Sequence, residues 1–530
     1  MVRYPDLYKP HWPIFTPALS TSIMRAKAWR GTPPHRFPAP YTLDDLNFLN
    51  SKSRFFSIGA ALYSVGHAGR PPKKTKRQRI ASDILMDFGK CDAQILSDSG
   101  GFQAARGKMT WSPEEWYSIL RDFAEAHCDW SMIPDIPTAA LDLGNIGPWM
   151  EQLLSNGGFD PRIVNCGDGE SLNDLCNRND LGPAFNTSLW YSKRGTEWIL
   201  ANRNIGGAER WWSVIQGRNL LESAAWTEEV KHYPLGGIAF PASHLHRMEQ
   251  TLGCLMKLRR EGLLKKIRRV HFLGTSQPAL IAAYSIICHE LQKRINDPDF
   301  YDADTPGNFV VTVDASSAVA EYARSWLCIG FTLGRIGWTF QKIKYQALAE
   351  FPPERNLASA IREIWERDQF SIPVEERPPI VDDGRTIHYE GDPRFLVQTE
   401  VSKVVRICDV FEARNGRLAV DSFGTLCVIN HNTQVRIEGI IKALGYYDAE
   451  DPAMVPSELL VLKRAIISVF ESENPQETIF KHNATLNLLA EWYSGPPPAK
   501  KGAKKGANVV DEGDASVDED AGDDICGDDE

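Results

Sequence analysis

From about Arg54 to Ser317 the chain alternates short apolar runs with longer segments of helical period. The runs are RFFSIGA (54–60), AQILSD (93–98), DWSMIPD (129–135), WWSVIQG (211–217), LGGIAF (235–240), RVHFLGT (269–275) and NFVVTVD (308–314). Each is too short for a helix and is bounded by Gly, Asp or Pro, which is how a strand buried on both faces reads. Between them lie SPEEWYSILRDFAEAH and QPALIAAYSIICHELQKRI. In the first, Ser112 stands as N-cap, Pro113 at N1 and Glu115 where a capping box closes. Strand, helix, strand, repeated, predicts an α/β fold with a parallel sheet. Seven or eight such units over about 300 residues favour a (β/α)8 barrel over an open sheet.

The same pattern sets the expected boundaries. Residues 1–53 read as a lead-in and 54–374 as the barrel. The Gly/Asn/Asp-rich stretch 155–186 reads as an inserted loop. Beyond 375 shorter strand-like runs (RFLVQTEVSKVVRICDVF, GTLCVI) precede helices to about 494, and these read as a small appended α+β domain. Residues 495–530, Lys-rich and then acidic, read as a disordered tail.

Composition changes this picture only at the tail. Apolar content is 43% and charged content 24%, ordinary for a globular protein. No run of about eighteen apolar residues suggests a membrane span, and the N-terminal residues lack a signal peptide's apolar core. The ten cysteines are scattered without a CxC or CxxC pair, so neither a zinc knot nor a disulfide framework is indicated, and a reducing cytoplasm is expected. The net charge of −10 belongs to the tail: 511–530 holds eleven of the 69 acidic residues, and 59 basic residues face the other 58. Basic residues cluster at Lys73, Lys74, Lys76, Arg77 and Arg79, and again along Lys257–Arg269, which reads as a helix. Either cluster could meet phosphate or be a solvated surface.

Barrel active sites are built at the C-terminal ends of the strands. The expected strands place Asp98, Asp135, Gln216-Gly217, Gly236-Gly237, Gly274 and Asp314 there. Each alone reads as a cap or turn former. Three carboxylates, a carboxamide and several glycines on one rim fit a flat, hydrogen-bonding ligand closely approached by backbone. Paired carboxylates suit chemistry at a sugar anomeric carbon, one attacking C1 and the other moving the leaving group's proton; retention calls for a separation of about 5 Å. An Asp, a Gln and backbone amides suit the edge of a purine, and Phe102 its face. SHLHR (Ser243–Arg247) adds two histidines near the same pocket.

In this order, SDSGGFQ, IQG, LGGIAF and FLGTSQP, with an Asp after the next strand, resemble the tRNA-guanine transglycosylases over roughly residues 54–320. That family exchanges guanine in nucleic acid for a 7-deazaguanine on a (β/α)8 barrel. The resemblance implies Asp98 as general acid/base and Asp314, in TVDASS, as nucleophile. It implies Asp135, Gln216, Ser99 and the backbone of Gly237 as holders of the base edge, with Phe102 and Leu273 sandwiching the ring.

Several family features differ. The three-Cys, one-His zinc site of the tRNA enzymes has no counterpart after Asp314, so no cofactor is expected. Their PTRSGR-like segment is replaced by ASSAVAEYAR, and GGLAVGE by GGIAFPASH. These differences resemble the DpdA-type DNA-guanine transglycosylases, which insert 7-deazaguanines such as preQ0 into DNA in phages and bacteria. The expected partners are therefore DNA, a free 7-deazaguanine base and the proteins of a DNA-modification system, in a bacterial or phage-infected cytoplasm. The alternatives are the same exchange on tRNA, a non-catalytic nucleic-acid-binding relative, and an ordinary barrel hydrolase.

Overall fold

A computed structural model describes residues 2–19, 37–68, 93–105, 111–138, 183–294 and 309–493, apart from 205, 242–243, 245–246, 335–336, 368–379, 383–384, 388–393, 415 and 452–453. Eight parallel strands close into a barrel in chain order: β1 (Ile14–Leu19), β2 (Ala60–Ser64), β3 (Gln94–Asp98), β4 (Trp130–Met132), β5 (Trp211–Val214), β6 (Gly237–Phe240), β7 (Arg269–Phe272) and β8 (Val310–Ala315). The last pairs with the first through Asp314 opposite Thr16. The fold is the expected α/β barrel.

The barrel begins earlier than residue 54. Its first strand lies in the expected lead-in, where Pro17 masks a strand: proline offers no N–H to a ladder and argues against a central strand. The register puts Pro17 opposite Ala315, the last residue of β8. Conversely, most of RFFSIGA is outside the barrel. Phe56–Ser57 pairs with Val2–Arg3, and the barrel strand starts at Ala60.

Alternation sets what faces inward. Leu62, Leu96, Met132, Trp212, Val214 and Ala239 pack together inside, with Trp130 and Leu273 against them. Trp130 stacks on Trp212 at 5.8 Å, and the Arg269 guanidinium lies 4.2 Å over Trp130. These side chains fill the barrel's floor, which leaves the mouth as the place for a ligand.

Around the barrel run α1 (Pro113–His127), α2 (Pro183–Asn202), α3 (Leu220–Val230), α4 (Met248–Arg260) and α5 (Pro278–Lys293). The capping box of α1 forms as read: Ser112 Oγ accepts from the Glu115 N–H at 3.3 Å and Glu115 Oε2 from the Ser112 N–H at 2.7 Å. Helix α5 is buried on nearly every side, and its sequence says why. PALIAAYSIICHEL is apolar all round, as a helix covered on both faces must be. The cover is α6 (Ser422–Ala449) and α7 (Ser457–Glu471).

One core therefore runs from Tyr4 to Leu489, and the segment expected as an appended domain belongs to the barrel's outer layer. GTLCVI, expected as a strand, is the first part of α6, whose N-cap Asp421 accepts from the Gly424 N–H at 2.7 Å. Lys257–Arg269 is not one basic helix either. Helix α4 ends at Arg260, Lys257 pairs with Glu228 at 2.6 Å, and Arg269 enters β7. Lys73, Lys74, Lys76, Arg77 and Arg79, most of 155–186, and the tail from 494 lie outside the described residues. Residues 183–186 open α2. No described helix is long and apolar enough to cross a membrane.

Candidate active site at the barrel mouth

Period-two alternation carries the inward faces up to the mouth. Asp98 lies two residues beyond inward Leu96, and Gln216 two beyond inward Val214. Asp314 is joined to β7 through His271, two residues before inward Leu273. Asp135 follows β4 by three residues. The structure thus brings Asp98, Asp135, Gln216, Leu273 and Asp314 to one end of the barrel.

The turn SDSGG is built to bring two of these together. The Gly100 N–H points at Asp98 Oδ2 at 3.3 Å, and Gly100 sits at φ +79°, a conformation glycine supplies without strain. A Cβ added at Gly101 would lie 1.8 Å from the Asp135 carbonyl oxygen, so glycine there permits the close approach of the two loops. Ser99, fully buried, donates its hydroxyl to Asp135 Oδ1 at 2.6 Å and accepts from the Gly101 N–H at 3.1 Å. From α1, Trp116 Nε1 donates to the Ser99 carbonyl at 2.7 Å and fixes the turn from behind. Phe102 follows in the short helix Gly101–Ala105, and its side chain lies outside the described residues.

Asp135 is the electrostatic centre of the group. Burial, and then the charge of Asp98, push its carboxyl up to about 7; the hydrogen bonds from Ser99 and Gln216 work against that rise. Gln216 Nε2 donates to Asp135 Oδ2 at 2.7 Å. The other end of the Gln216 amide, Oε1, is buried without a hydrogen-bond partner among the described residues. A buried acceptor beside a carboxyl offers two acceptor atoms to a ligand edge carrying N–H donors.

His244 holds the Gln216-Gly217 turn. The Gly217 carbonyl can only accept, so His244 Nε2 carries the proton and donates to it at 3.1 Å. Ser223 Oγ, which donates to the Asn219 carbonyl, is 3.0 Å from the same nitrogen. Burial lowers this imidazole to about 4, so it is neutral at ordinary pH. This histidine of SHLHR therefore faces inward and acts on the loop; His246 lies outside the described residues.

Asp314 is held asymmetrically. Its Oδ1 accepts from the Gly274 N–H at 2.9 Å and from His271 Nε2 at 3.0 Å. His271 has its other nitrogen 2.7 Å from Thr312 Oγ1. A carboxylate only accepts, so His271 Nε2 is the donor to Asp314. Among the described residues nothing donates to Asp314 Oδ2. His271 and Thr312 were not among the expected site residues. The signal was available in RVHFLGT, where a histidine shares the inward parity of Leu273.

One expected residue is misplaced. Gly237 opens β6 and pairs with Trp212 and Arg269, at the floor. Three residues at about 3.3 Å each set it roughly 10 Å below the mouth end of its own strand. A Cβ there would lie 2.7 Å from the Trp212 indole, so this glycine makes room for a floor tryptophan rather than for a ligand. Phe240, Pro241 and His244 stand at the mouth end instead.

No group of three or more His, Cys, Asp or Glu side chains among the described residues is arranged to hold a metal ion. No protein-family model matches the chain, and no curated protein sequence matches it.

Proposed function

We propose that the protein is a base-exchange transglycosylase that replaces guanine in DNA with a 7-deazaguanine, through a covalent glycosyl-aspartate. The observation that carries this reading is the asymmetry of Asp314: one oxygen clamped by two donors, the other without a hydrogen bond among the described residues, at the mouth that also holds Asp98 and the Asp135–Gln216 pair. A carboxylate fixed at one oxygen and open at the other is a positioned nucleophile.

In this reading Asp314 Oδ2 attacks C1′ of the deoxyribose. The C1′–N9 bond breaks, its electron pair passes to N9, and Asp98 delivers the proton that lets guanine leave neutral. The incoming 7-deazaguanine gives its N9 proton back to Asp98; its nitrogen attacks C1′ and releases the Asp314 carboxylate. Bond energy is conserved through the ester, so no nucleotide triphosphate is consumed. Asp135 accepts from the base's N–H groups, which favour its ionised form, and Gln216 Oε1 offers a further acceptor. Leu273, half-buried at the mouth, packs against one face of the ring.

The test is nucleoside mass spectrometry after incubation with preQ0 and either DNA or unmodified tRNA. The expected product is the deazaguanine nucleoside in DNA, absent with Asp314→Asn. Product in tRNA alone would replace the substrate, product in neither would overturn the reading, and an active Asp314→Asn enzyme would remove the nucleophile.

A further inference from the structure

Exposed leucines are common on protein surfaces and singly mean little. Two of them here are consecutive and lie on the mouth. Among the described residues five large apolar side chains are exposed: Leu7, Leu220, Leu221, Val461 and Phe480. Leu220 and Leu221 open α3, directly after the Gln216-Gly217 turn, on the same face of the barrel as Asp98, Asp135 and Asp314. Leu221 is the more exposed, at 62%.

The segment that carries them is held firmly. The Arg218 N–H donates to Glu222 Oε2 at 2.7 Å, and its guanidinium bonds Glu222 Oε1 at 2.6 Å. Asn219 Oδ1 accepts from the Glu222 N–H at 3.0 Å, and the Asn219 carbonyl accepts from Ser223 Oγ. Gln250 Nε2 and Arg247 Nη1, both from the start of α4, approach the Arg218 carbonyl at 3.4 and 3.5 Å. Leu220 has a seat on the same helix: a Cβ added at Gly253 would lie 2.6 Å from Leu220 Cδ1. Leu221 is therefore held out toward solvent on a braced turn beside the base-holding glutamine. Arg247, exposed next to it, supplies positive charge for a phosphate backbone.

A base can reach the mouth of a barrel only after leaving its stack, and enzymes that draw a base out of a duplex commonly place an apolar side chain in the opened step. We propose that Leu221, in the first turn of α3, is a wedge that enters the stack of duplex DNA and takes the place of the guanine drawn into the mouth, with Leu220 as its footing. The inference rests on the base-exchange reading for its substrate and adds to it how paired DNA is opened.

Leu221→Ala tests it, because the exposed side chain contributes little to the fold. One readout needs no chemistry: a duplex carrying a fluorescent cytosine analogue opposite guanine brightens when that guanine leaves the helix. The other is exchange of preQ0 into duplex and into single-stranded DNA. The wild-type protein should brighten the duplex and the variant should not. Exchange by the variant should fall about tenfold or more on duplex, the factor expected when one leucine's apolar surface is no longer buried, and stay at the wild-type rate on single strands. Equal brightening by both proteins, or an equal loss on duplex and single strand, would overturn the wedge. Brightening that depends on Leu221 without any exchange would uphold the wedge and sink the transglycosylase reading. Brightening confined to an RNA hairpin would overturn DNA as the occupant.

Discussion

Replacing Asp135 with Asn should change how stability depends on pH. The carboxyl is raised from 3.8 to about 7 in the folded protein, by burial and by Asp98. Between those values the folded state holds a proton that the unfolded chain has lost, so stability falls as pH rises through that window. A shift of about three units corresponds to roughly 4 kcal/mol, present below pH 4 and gone above pH 7. The variant has nothing to titrate. Its hydrogen bonds can be kept: Ser99 still donates to Oδ1, and Gln216 can turn its amide so that the unpartnered Oε1 accepts from the new Asn Nδ2–H. Urea denaturation of both proteins at pH 5 and pH 8 reads the effect. The wild type should lose about 3 kcal/mol relative to Asp135→Asn between the two. Asp98→Asn, which removes the second cause of the shift, should shrink that loss. A stability difference that stays constant with pH, or that grows in the wild type's favour, would refute the burial argument for Asp135.

Three further substitutions probe the scaffold around the site. His271→Phe removes one of the two donors to Asp314 Oδ1; kcat for base exchange should fall on the order of ten- to hundredfold, with partial recovery in His271→Gln and little change in KM for the free base. Gly101→Ala sets a methyl group against the Asp135 carbonyl. It should cost about 2 kcal/mol or more in urea denaturation and abolish binding of the free base by calorimetry. In the outer layer, Arg436 of α6 is buried, with Nη1 2.5 Å from Ser276 Oγ just beyond β7, and it pairs with Glu321. Although burial opposes it most strongly, the charges of Arg436 and Lys342 hold the Glu321 carboxyl below the usual carboxylate range. Arg436→Met should destabilise by about 3–5 kcal/mol. Recovery of part of that loss in the Arg436→Met, Glu321→Gln double variant would show that the unpaired carboxylate causes it.

The barrel was legible because most of its strands are short apolar runs, several of them closed by Asp or leading into Gly, and most of the site was legible for the same reason. Asp98, Gln216 and Asp314 each close an apolar run, and alternation alone puts them on the inward face. The failures have physical causes. A glycine pair marks a strand's end without saying which end, so LGGIAF was read with its glycines at the mouth when they stand at the floor beneath Trp212. Pro17 disguised β1 because proline is usually excluded from ladders, yet at the final rung its missing N–H costs little. GTLCVI carries β-branched residues that favour a strand in isolation; the Asp421 cap and the apolar surface of α5 beneath it make it helix. The same apolarity of α5 had already required a covering layer. A helix this apolar needs a cover, which α6 and α7 supply, so the residues beyond 375 pack on the barrel. Through Arg436 and Ser276 that layer reaches the loop whose Gly274 N–H holds Asp314. The C-terminal helices therefore brace, through Arg436, the loop that holds Asp314.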